Sequence, residues 1–255
     1  MPDKPLIFIS HITEEAELAQ LFKREIERSF LNMVEVFVSS DNASISIGTN
    51  WLEQITNGLR TCKAIMIFCS PASIVRPWIN FEAGAGWARS IEIVPLCHSG
   101  IRPVDLPLPL NLMQGVEAHD QTKITEVFRL IAGKLGSGTP TVDAATLAAE
   151  VSKFEQTYSI ELKAVGGLRG IQNSWPELIA DLKRAGSGRM LTAQGIPEWK
   201  VNQVRPALID LEKNKLLQFS FNANTLAFGG PGSGILGDLA IQTSPDLNTV
   251  LQKRF

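Results

Sequence analysis

The sequence predicts an α/β fold whose first part is a parallel β-sheet with helices on both faces. Short apolar segments alternate with amphipathic segments between Leu6 and Leu135, as strands and crossover helices do. The segments 6–10 and 64–69 are continuously apolar, which is typical of strands buried on both faces. The chain has 255 residues, 44% hydrophobic and 20% charged, and is long enough for two domains with buried cores.

The other elements of this first part follow from local signals. Pro77 opens a predicted helix, because the first helical N–H groups have no intrahelical partner. The polar segment 39–48 is too long for a tight turn and is a candidate binding loop, whereas the proline-broken segment 101–112 is expected to be extended. The remaining predicted elements are strands at 34–38, 91–96 and 115–118, and helices at 13–31, after a cap at Thr49 or Asn50, and after a cap at Asp120 or Thr122.

A linker at 136–140 and a helical segment are predicted to precede a smaller α+β module. The helical segment contains a helix at 144–164 ended by the glycines of 166–170 and a helix at 175–185. The module contains a helix at 198–214 and strands at 216–221 and 225–228 joined through Asn222-Ala-Asn224. A helix followed by such a hairpin is typical of a winged-helix-like module. The predicted domains are 1–136, a linker and helical segment at 137–186, and the C-terminal module at 187–255.

The charge of the C-terminal module bears on its partner. Residues 187–255 contain seven Lys or Arg against five Asp or Glu. A DNA-reading domain usually presents a denser basic face, so direct DNA binding is disfavoured. We expect instead that the module binds a protein partner or senses a trigger.

Composition and motifs exclude several classes of protein. The net charge of −2 gives no general case for nucleic acid or an anionic membrane, and no apolar run is long enough to span one. The absence of a secretory leader and three cysteines without a CxxC pair indicate a cytoplasmic protein with reduced thiols. Too few residues follow the G-x-G-x-x-G of 232–237 for a dinucleotide-binding unit, so we interpret it as a glycine-rich loop. No metal or cofactor site is predicted.

Polar residues converge on the carboxyl edge of the predicted sheet. Ser10, His11, Ser70 and the loop 39–48 all follow predicted strands, and ligands of such sheets bind beyond the carboxyl ends. Trp78 and Glu82 share one face of the helix that Pro77 opens. Glu82 could simply lie at the solvent edge of a tightly packed helix, but the convergence favours it as a site residue. A phosphoacceptor receiver is disfavoured, because the strand ends lack the acids that it needs.

These residues resemble a bacterial Toll/interleukin-1 receptor (TIR) domain of the NAD-cleaving kind, over about 5–136. The resemblance rests on Ile7-Phe-Ile-Ser-His11, on Gly48-Thr-Asn-Trp51, and on strand 65–70 followed by Arg76-Pro-Trp-Ile-Asn-Phe-Glu82. The family's catalytic turn usually reads Ser…Ser-x-Trp-x-x-x-Glu. The matching residues here are Ser70, Ser73, Trp78 and Glu82, with a longer gap before the tryptophan and Ile79 where the family often has Cys.

The resemblance implies a flavodoxin-like five-stranded sheet and an NAD⁺ nucleosidase, with NAD⁺ as a substrate and no cofactor. Glu82 takes the catalytic position. The implied substrate-binding positions are Phe8, Ser10, His11, Ile47, Gly48, Trp51 and Trp78. The resemblance also implies activation by TIR–TIR assembly through the loop 39–48 and a role in bacterial anti-phage immunity.

Two other functions stay open at this point. A non-enzymatic TIR adaptor would keep the sheet and the loop but would not need Glu82 beside Trp78. A nucleoside deoxyribosyltransferase-like enzyme also breaks an N-glycosidic bond on a flavodoxin-like sheet. Free nucleosides tested against NAD⁺ would separate the two enzymes.

Overall fold

The computed structural model describes residues 4–39, 51–227 and 234–255. Several predicted features lie outside these residues: Ile47, Gly48, most of the loop 39–48, the caps proposed at Thr49 or Asn50, and part of the motif at 232–237. The side chain of Trp51 also lies outside the described part. The chain forms two compact units, Met1–Gln156 and Thr157–Phe255. The three-segment division of the chain stays a prediction.

The first unit contains the predicted parallel sheet. Its strands are β1 (Leu6–Ser10), β2 (Glu35–Val38), β3 (Ala64–Cys69), β4 (Glu92–Cys97) and β5 (Val116–Glu117). They pair in the order β2-β1-β3-β4-β5, and all four pairings are parallel. This confirms the α/β fold with a flavodoxin-like five-stranded sheet. Because β1 and β3 lie in the interior of the sheet, their continuous apolar runs are buried on both faces, as in other parallel sheets.

Helices cover both faces of the sheet. They are α1 (Ala16–Ser29), α2 (Trp51–Thr61), α3 (Pro77–Ala88), α4 (Gln121–Leu135) and the beginning of α5 (Ala144–Ser174). Ile7 and Ile9 of β1 belong to the core that packs against α1 and α4, whereas Phe8 belongs to the core that packs against α2 and α3. This alternation follows from the two-residue period of a strand and directs the next residue of the second set, Ser10, toward the side of α3.

Local signals set most boundaries in this unit. Asp120 caps α4, since its carboxylate accepts hydrogen bonds from the backbone N–H groups of Thr122 and Lys123. Two short 3₁₀ turns, Pro103–Asp105 and Leu110–Leu112, replace the extended segment that the sequence predicted at 101–112. Pro103 suits the first of these turns, because proline fixes the φ angle that a helical turn requires.

The second unit contains a smaller α+β region with an antiparallel sheet, as predicted. After α5 come α6 (Pro176–Ala185), β6 (Met190–Pro197), α7 (Glu198–Lys213), β7 (Leu217–Ala227), β8 (Gly234–Thr243) and α8 (Pro245–Arg254). The strands pair in the order β6-β8-β7, all antiparallel. In the described parts of the chain, no helix is long and apolar enough to cross a membrane.

The prediction that the glycines of 166–170 end a helix is wrong, because α5 runs through them to Ser174. A Cβ atom on Gly167 would lie 2.5 Å from the side chain of Leu211, and one on Gly170 would lie 3.2 Å from that of Ala207. The glycines therefore allow α5 and α7 to pack closely, and this packing offsets their low helix propensity.

The predicted hairpin through Asn222-Ala-Asn224 is also wrong. These residues lie inside one strand, β7, with a bulge between Ala223 and Thr225. The side-chain amide of Asn224 donates a hydrogen bond to Asp238 of β8 at 2.8 Å, so residues typical of turns are accommodated within the strand pair. The partner strand β8 includes Gly237, where a Cβ would lie 2.5 Å from the carbonyl oxygen of Asn222. That end of the glycine-rich motif is therefore part of a strand and not a loop. The strand β6 was not predicted from the sequence.

Candidate active site at the carboxyl edge of the first sheet

Three side chains from two elements meet at the carboxyl edge of the sheet. Ser10 is the last residue of β1, and Trp78 and Glu82 lie one turn apart in α3. The indole Nε1–H of Trp78 donates to Glu82 Oε1 at 2.9 Å, and the Ser10 hydroxyl donates to Glu82 Oε2. The helical spacing of four residues places the indole beside the carboxylate. Each carboxylate oxygen therefore has a donor that fixes its direction.

Glu82 is fully buried, and its environment changes its acidity. Burial raises the pKa of this carboxyl group to about 7, because the charged form loses its hydration, and the hydrogen bonds from Ser10 and Trp78 offset part of that effect. Near neutral pH the group therefore exists in both protonation states. A buried carboxyl group with a strongly shifted pKa at this edge of the sheet is typical of a functional site. Glu82 does not lie at the solvent edge of α3, which was the alternative reading of the sequence.

An aromatic pair adjoins the carboxylate. The rings of Trp78 and Phe81 stack with centroids 5.0 Å apart, and Phe81 is 52% exposed. A large apolar ring that remains exposed beside a buried polar group could stack against the flat ring of a ligand. Trp78 was predicted as a site residue and Phe81 was not. The sequence feature that points to Phe81 is its position three residues after Trp78 in the same helix.

The other predicted site residues lie elsewhere around this edge. Phe8 is fully buried and stacks on Phe37 with ring centroids 5.2 Å apart, so it is a core residue in this structure. His11 is buried, and its Nδ1 lies 3.3 Å from the Ser39 hydroxyl. A contact of either residue with a substrate stays a prediction.

Ser70 and Ser73, which matched the family turn, shape the turn after β3. The Ser73 hydroxyl accepts a hydrogen bond from the Ser70 N–H at 2.7 Å and donates to the Phe68 carbonyl at 3.0 Å. The Ser70 hydroxyl donates to Glu15 Oε1 at 2.6 Å. These hydrogen bonds hold the turn that leads from β3 into α3.

Sequence reasoning missed a second buried carboxylate, Glu15. Besides Ser70, it accepts the Ile12 N–H at 3.1 Å, and its Oε1 lies 3.2 Å from Nε2 of the buried His98. Glu15 lies in the first turn of the helix predicted at 13–31 and was not predicted as a site residue. The available signal was its position three residues after Ile12, from which an acidic side chain can reach back to the backbone at a helix start.

The thiols and possible metal ligands complete the chemical inventory. Cys62, Cys69 and Cys97 are buried free thiols. The hydrogen bond with Cys97 and burial raise the pKa of Cys69, and burial raises the pKa of Cys62, so these two thiols are poor nucleophiles. Among the residues that the structure describes, no group of three or more His, Cys, Asp or Glu side chains could hold a metal ion.

The comparisons with known proteins agree with this architecture. Residues 7–131 match the family model described as "TIR domain". Apart from Leu6, this range contains the five strands of the first sheet, and it includes the site around Glu82. No curated protein matches the chain.

Proposed function

We propose that this TIR-domain protein is an NAD⁺ nucleosidase that cleaves the bond between nicotinamide and ribose. The observation that carries the proposal is the buried carboxyl group of Glu82, held by Ser10 and Trp78 at the carboxyl edge of the sheet. Parallel sheets of this kind bind ligands at that edge. The pKa of about 7 keeps a substantial fraction of Glu82 ionised at neutral pH.

The chemistry requires one carboxylate rather than two. The C1′–N bond breaks and its electron pair leaves with nicotinamide, which is cationic in NAD⁺ and departs neutral without a general acid. The ribose then develops oxocarbenium character, and water attacks C1′ and loses a proton. An anion placed where positive charge develops stabilises the transition state more than the ground state. Ordinary glycosidases differ, because their leaving group must be protonated by a second carboxyl group.

Each named side chain has a role in this proposal. Ionised Glu82 hydrogen-bonds the ribose hydroxyls and stabilises the charge at C1′, while Ser10 and Trp78 hold its two oxygens in place. The Trp78–Phe81 pair is positioned to stack on a ring of the substrate. The other predicted binding positions are Phe8, His11, Ile47, Gly48 and Trp51. The product is ADP-ribose or a cyclic variant of it.

The proposal includes regulation by assembly. TIR domains that associate would complete each other's pockets through the loop 39–48, so specific activity should rise with protein concentration. The second unit would bind a protein partner or sense a trigger, in a cytoplasmic response such as anti-phage immunity. We do not propose direct DNA binding by the second unit.

A non-enzymatic adaptor is the second candidate, and one observation favours it. The Glu82 side chain has no exposed surface in this structure. In an adaptor it would only join α3 to β1. The adaptor predicts no turnover of NAD⁺ at any protein concentration.

Incubation of the purified full chain with NAD⁺ distinguishes the two candidates. Nicotinamide release and the mass of the second product are followed by chromatography and mass spectrometry, over a wide protein concentration range and with a crowding agent. The variants are Glu82→Ala and, as a matched control, Glu126→Gln, which removes an exposed carboxylate of α4. We expect release by wild type and the control only. Equal release by Glu82→Ala would contradict the assignment of Glu82, and silence of wild type under all conditions would favour the adaptor.

A further inference from the structure

The two halves of the candidate site are carried by two different turns. The turn after β1, residues 10–15, begins with Ser10, whose hydroxyl donates to Glu82. The turn after β3, residues 70–76, leads into α3 with Trp78 and Glu82. The distance between the Ser10 hydroxyl and Glu82 therefore depends on how these two turns are held together.

Glu15 joins the two turns with one side chain. Its Oε2 accepts the backbone N–H of Ile12, two residues after Ser10, at 3.1 Å. Its Oε1 accepts the hydroxyl of Ser70, the first residue after β3, at 2.6 Å. Glu15 and Ser70 are both fully buried, so neither hydrogen bond competes with water.

His98 adds a third strand end to the same carboxylate. Its Nε2 lies 3.2 Å from Glu15 Oε1, and its Nδ1 lies 2.9 Å from the Ser99 hydroxyl. The imidazole also packs edge-on against Phe68 of β3, with centroids 6.2 Å apart. A buried carboxylate is retained only where hydrogen bonds compensate its lost hydration, and Glu15 has partners from three segments. It therefore joins the segments that follow β1, β3 and β4.

We propose that Glu15 is a positioning residue for Glu82, holding the Ser10 turn and the α3 turn in the register that the Ser10–Glu82 hydrogen bond requires. The proposal rests on the NAD⁺ cleavage proposed above. Glu15 acts through Ile12 and Ser70 and touches no substrate. Small displacements of a catalytic group lower turnover strongly, on the order of a hundredfold per ångström.

Glu15→Gln tests the role with little change of shape. A glutamine amide presents an N–H₂ group where one carboxylate oxygen accepted, so it either opposes the Ile12 N–H with a second donor or makes the Ser70 hydroxyl accept where it donated. We expect kcat for NAD⁺ to fall by about tenfold or more while KM changes little, because the substrate contacts are intact. The control is Glu17→Gln, an exposed carboxylate of α1, which should leave kcat unchanged. Equal kcat values in Glu15→Gln and wild type would overturn the proposal.

A double-mutant cycle separates positioning from a general loss of stability. If Glu15 acts by holding the turn that carries Ser10, through Ile12 and Ser70, the variant Ser10→Ala/Glu15→Gln loses clearly less activity than the product of the two single losses. Independent, multiplicative losses would contradict the proposal. Ser70→Ala provides a milder break that keeps the Glu15 charge, and it should lower kcat with KM unchanged even if Glu15→Gln folds poorly.

A measurement without turnover makes the outcome independent of the proposed reaction. The indole N–H of Trp78 donates to Glu82, and its NMR resonance can be assigned with Trp78→Phe. Glu15→Gln should shift this resonance and speed its exchange with solvent, whereas Glu17→Gln should not. If wild type releases no nicotinamide but Glu15→Gln shifts the indole resonance, the enzyme proposal is refuted and the positioning role is supported. An unchanged resonance would refute the positioning role whatever the activity.

Discussion

Two buried glutamates lie at the same edge of one sheet, yet their surroundings differ. Glu82 accepts one hydrogen bond from Ser10 and one from Trp78, and it adjoins the exposed ring of Phe81 through Trp78. Glu15 accepts the Ile12 N–H and the Ser70 hydroxyl and contacts His98. A carboxylate has about four acceptor sites, so Glu82 retains acceptor capacity for the ribose hydroxyls of the proposed substrate. The two residues are equally buried, and they differ in what surrounds them: Glu15 joins three segments of the chain, whereas Glu82 adjoins an exposed aromatic ring.

The largest expected effect separates the two residues by activity. Glu82→Gln keeps the shape of the side chain but removes the negative charge that the transition state needs, so nicotinamide release should fall by about 10³-fold. Nicotinamide release by Glu15→Gln should fall much less, because Glu15 acts only by positioning Glu82. Comparable losses of kcat/KM in the two variants, measured at equal protein concentration, would contradict the assignment of different roles to Glu82 and Glu15.

The next effect separates them by stability. Glu15→Leu leaves the Ile12 N–H, the Ser70 hydroxyl and His98 facing an apolar group, which should lower the free energy of unfolding by about 3 kcal/mol or more. Calorimetry of the full chain, with Glu17→Gln as the control, measures this loss. An unfolding temperature equal to that of wild type would show that Glu15 does not hold the edge together.

Glu82→Gln should instead raise the free energy of unfolding relative to wild type, by an amount that depends on pH. The pKa of Glu82 is raised from an ordinary value of 4.5 to about 7 in the folded state, so the folded protein binds more protons than the unfolded chain between these pH values. Wild type therefore loses stability as pH rises from 4.5 through 7, and the variant does not. The stability of Glu82→Gln relative to wild type should increase over this window by up to about 3 kcal/mol. A difference that is constant from pH 4 to 8 would show that Glu82 is not buried in solution.

The smallest effect concerns the pH profile of the reaction. In the proposed mechanism the ionised form of Glu82 is the active one, so kcat/KM should fall as pH drops below about 7. The hydrogen bond from Ser10 favours the ionised form, so Ser10→Ala should move the acid limb of the profile to higher pH. A shift toward lower pH would mean that Ser10 does not donate to the carboxylate.

The contacts of Glu82 and Glu15 differ in how well the sequence predicted them. Trp78 and Glu82 are four residues apart in one helix, so their proximity is a local property that the pattern revealed. The bond between Ser10 and Glu82 joins residues 72 positions apart. Their meeting at one edge was predicted from the topology, but the contact itself depends on packing. The link between Glu15 and Ser70 spans 55 positions and had no pattern that pointed to it.

The sequence by itself determined the alternation of strands and helices along the first unit, a cap of α4 at Asp120 or Thr122, and the shared helical face of Trp78 and Glu82, because each depends on neighbours within a few residues. The structure assigns the cap to Asp120. Only the tertiary structure decided that α5 continues through Gly167 and that Asn222 and Asn224 lie in one strand. In those places local propensity opposed the observed structure, and contacts with Leu211 and with β8 outweighed it. The burial of Glu15 was decided in the same way, since its partners come from three separate segments that only folding brings together.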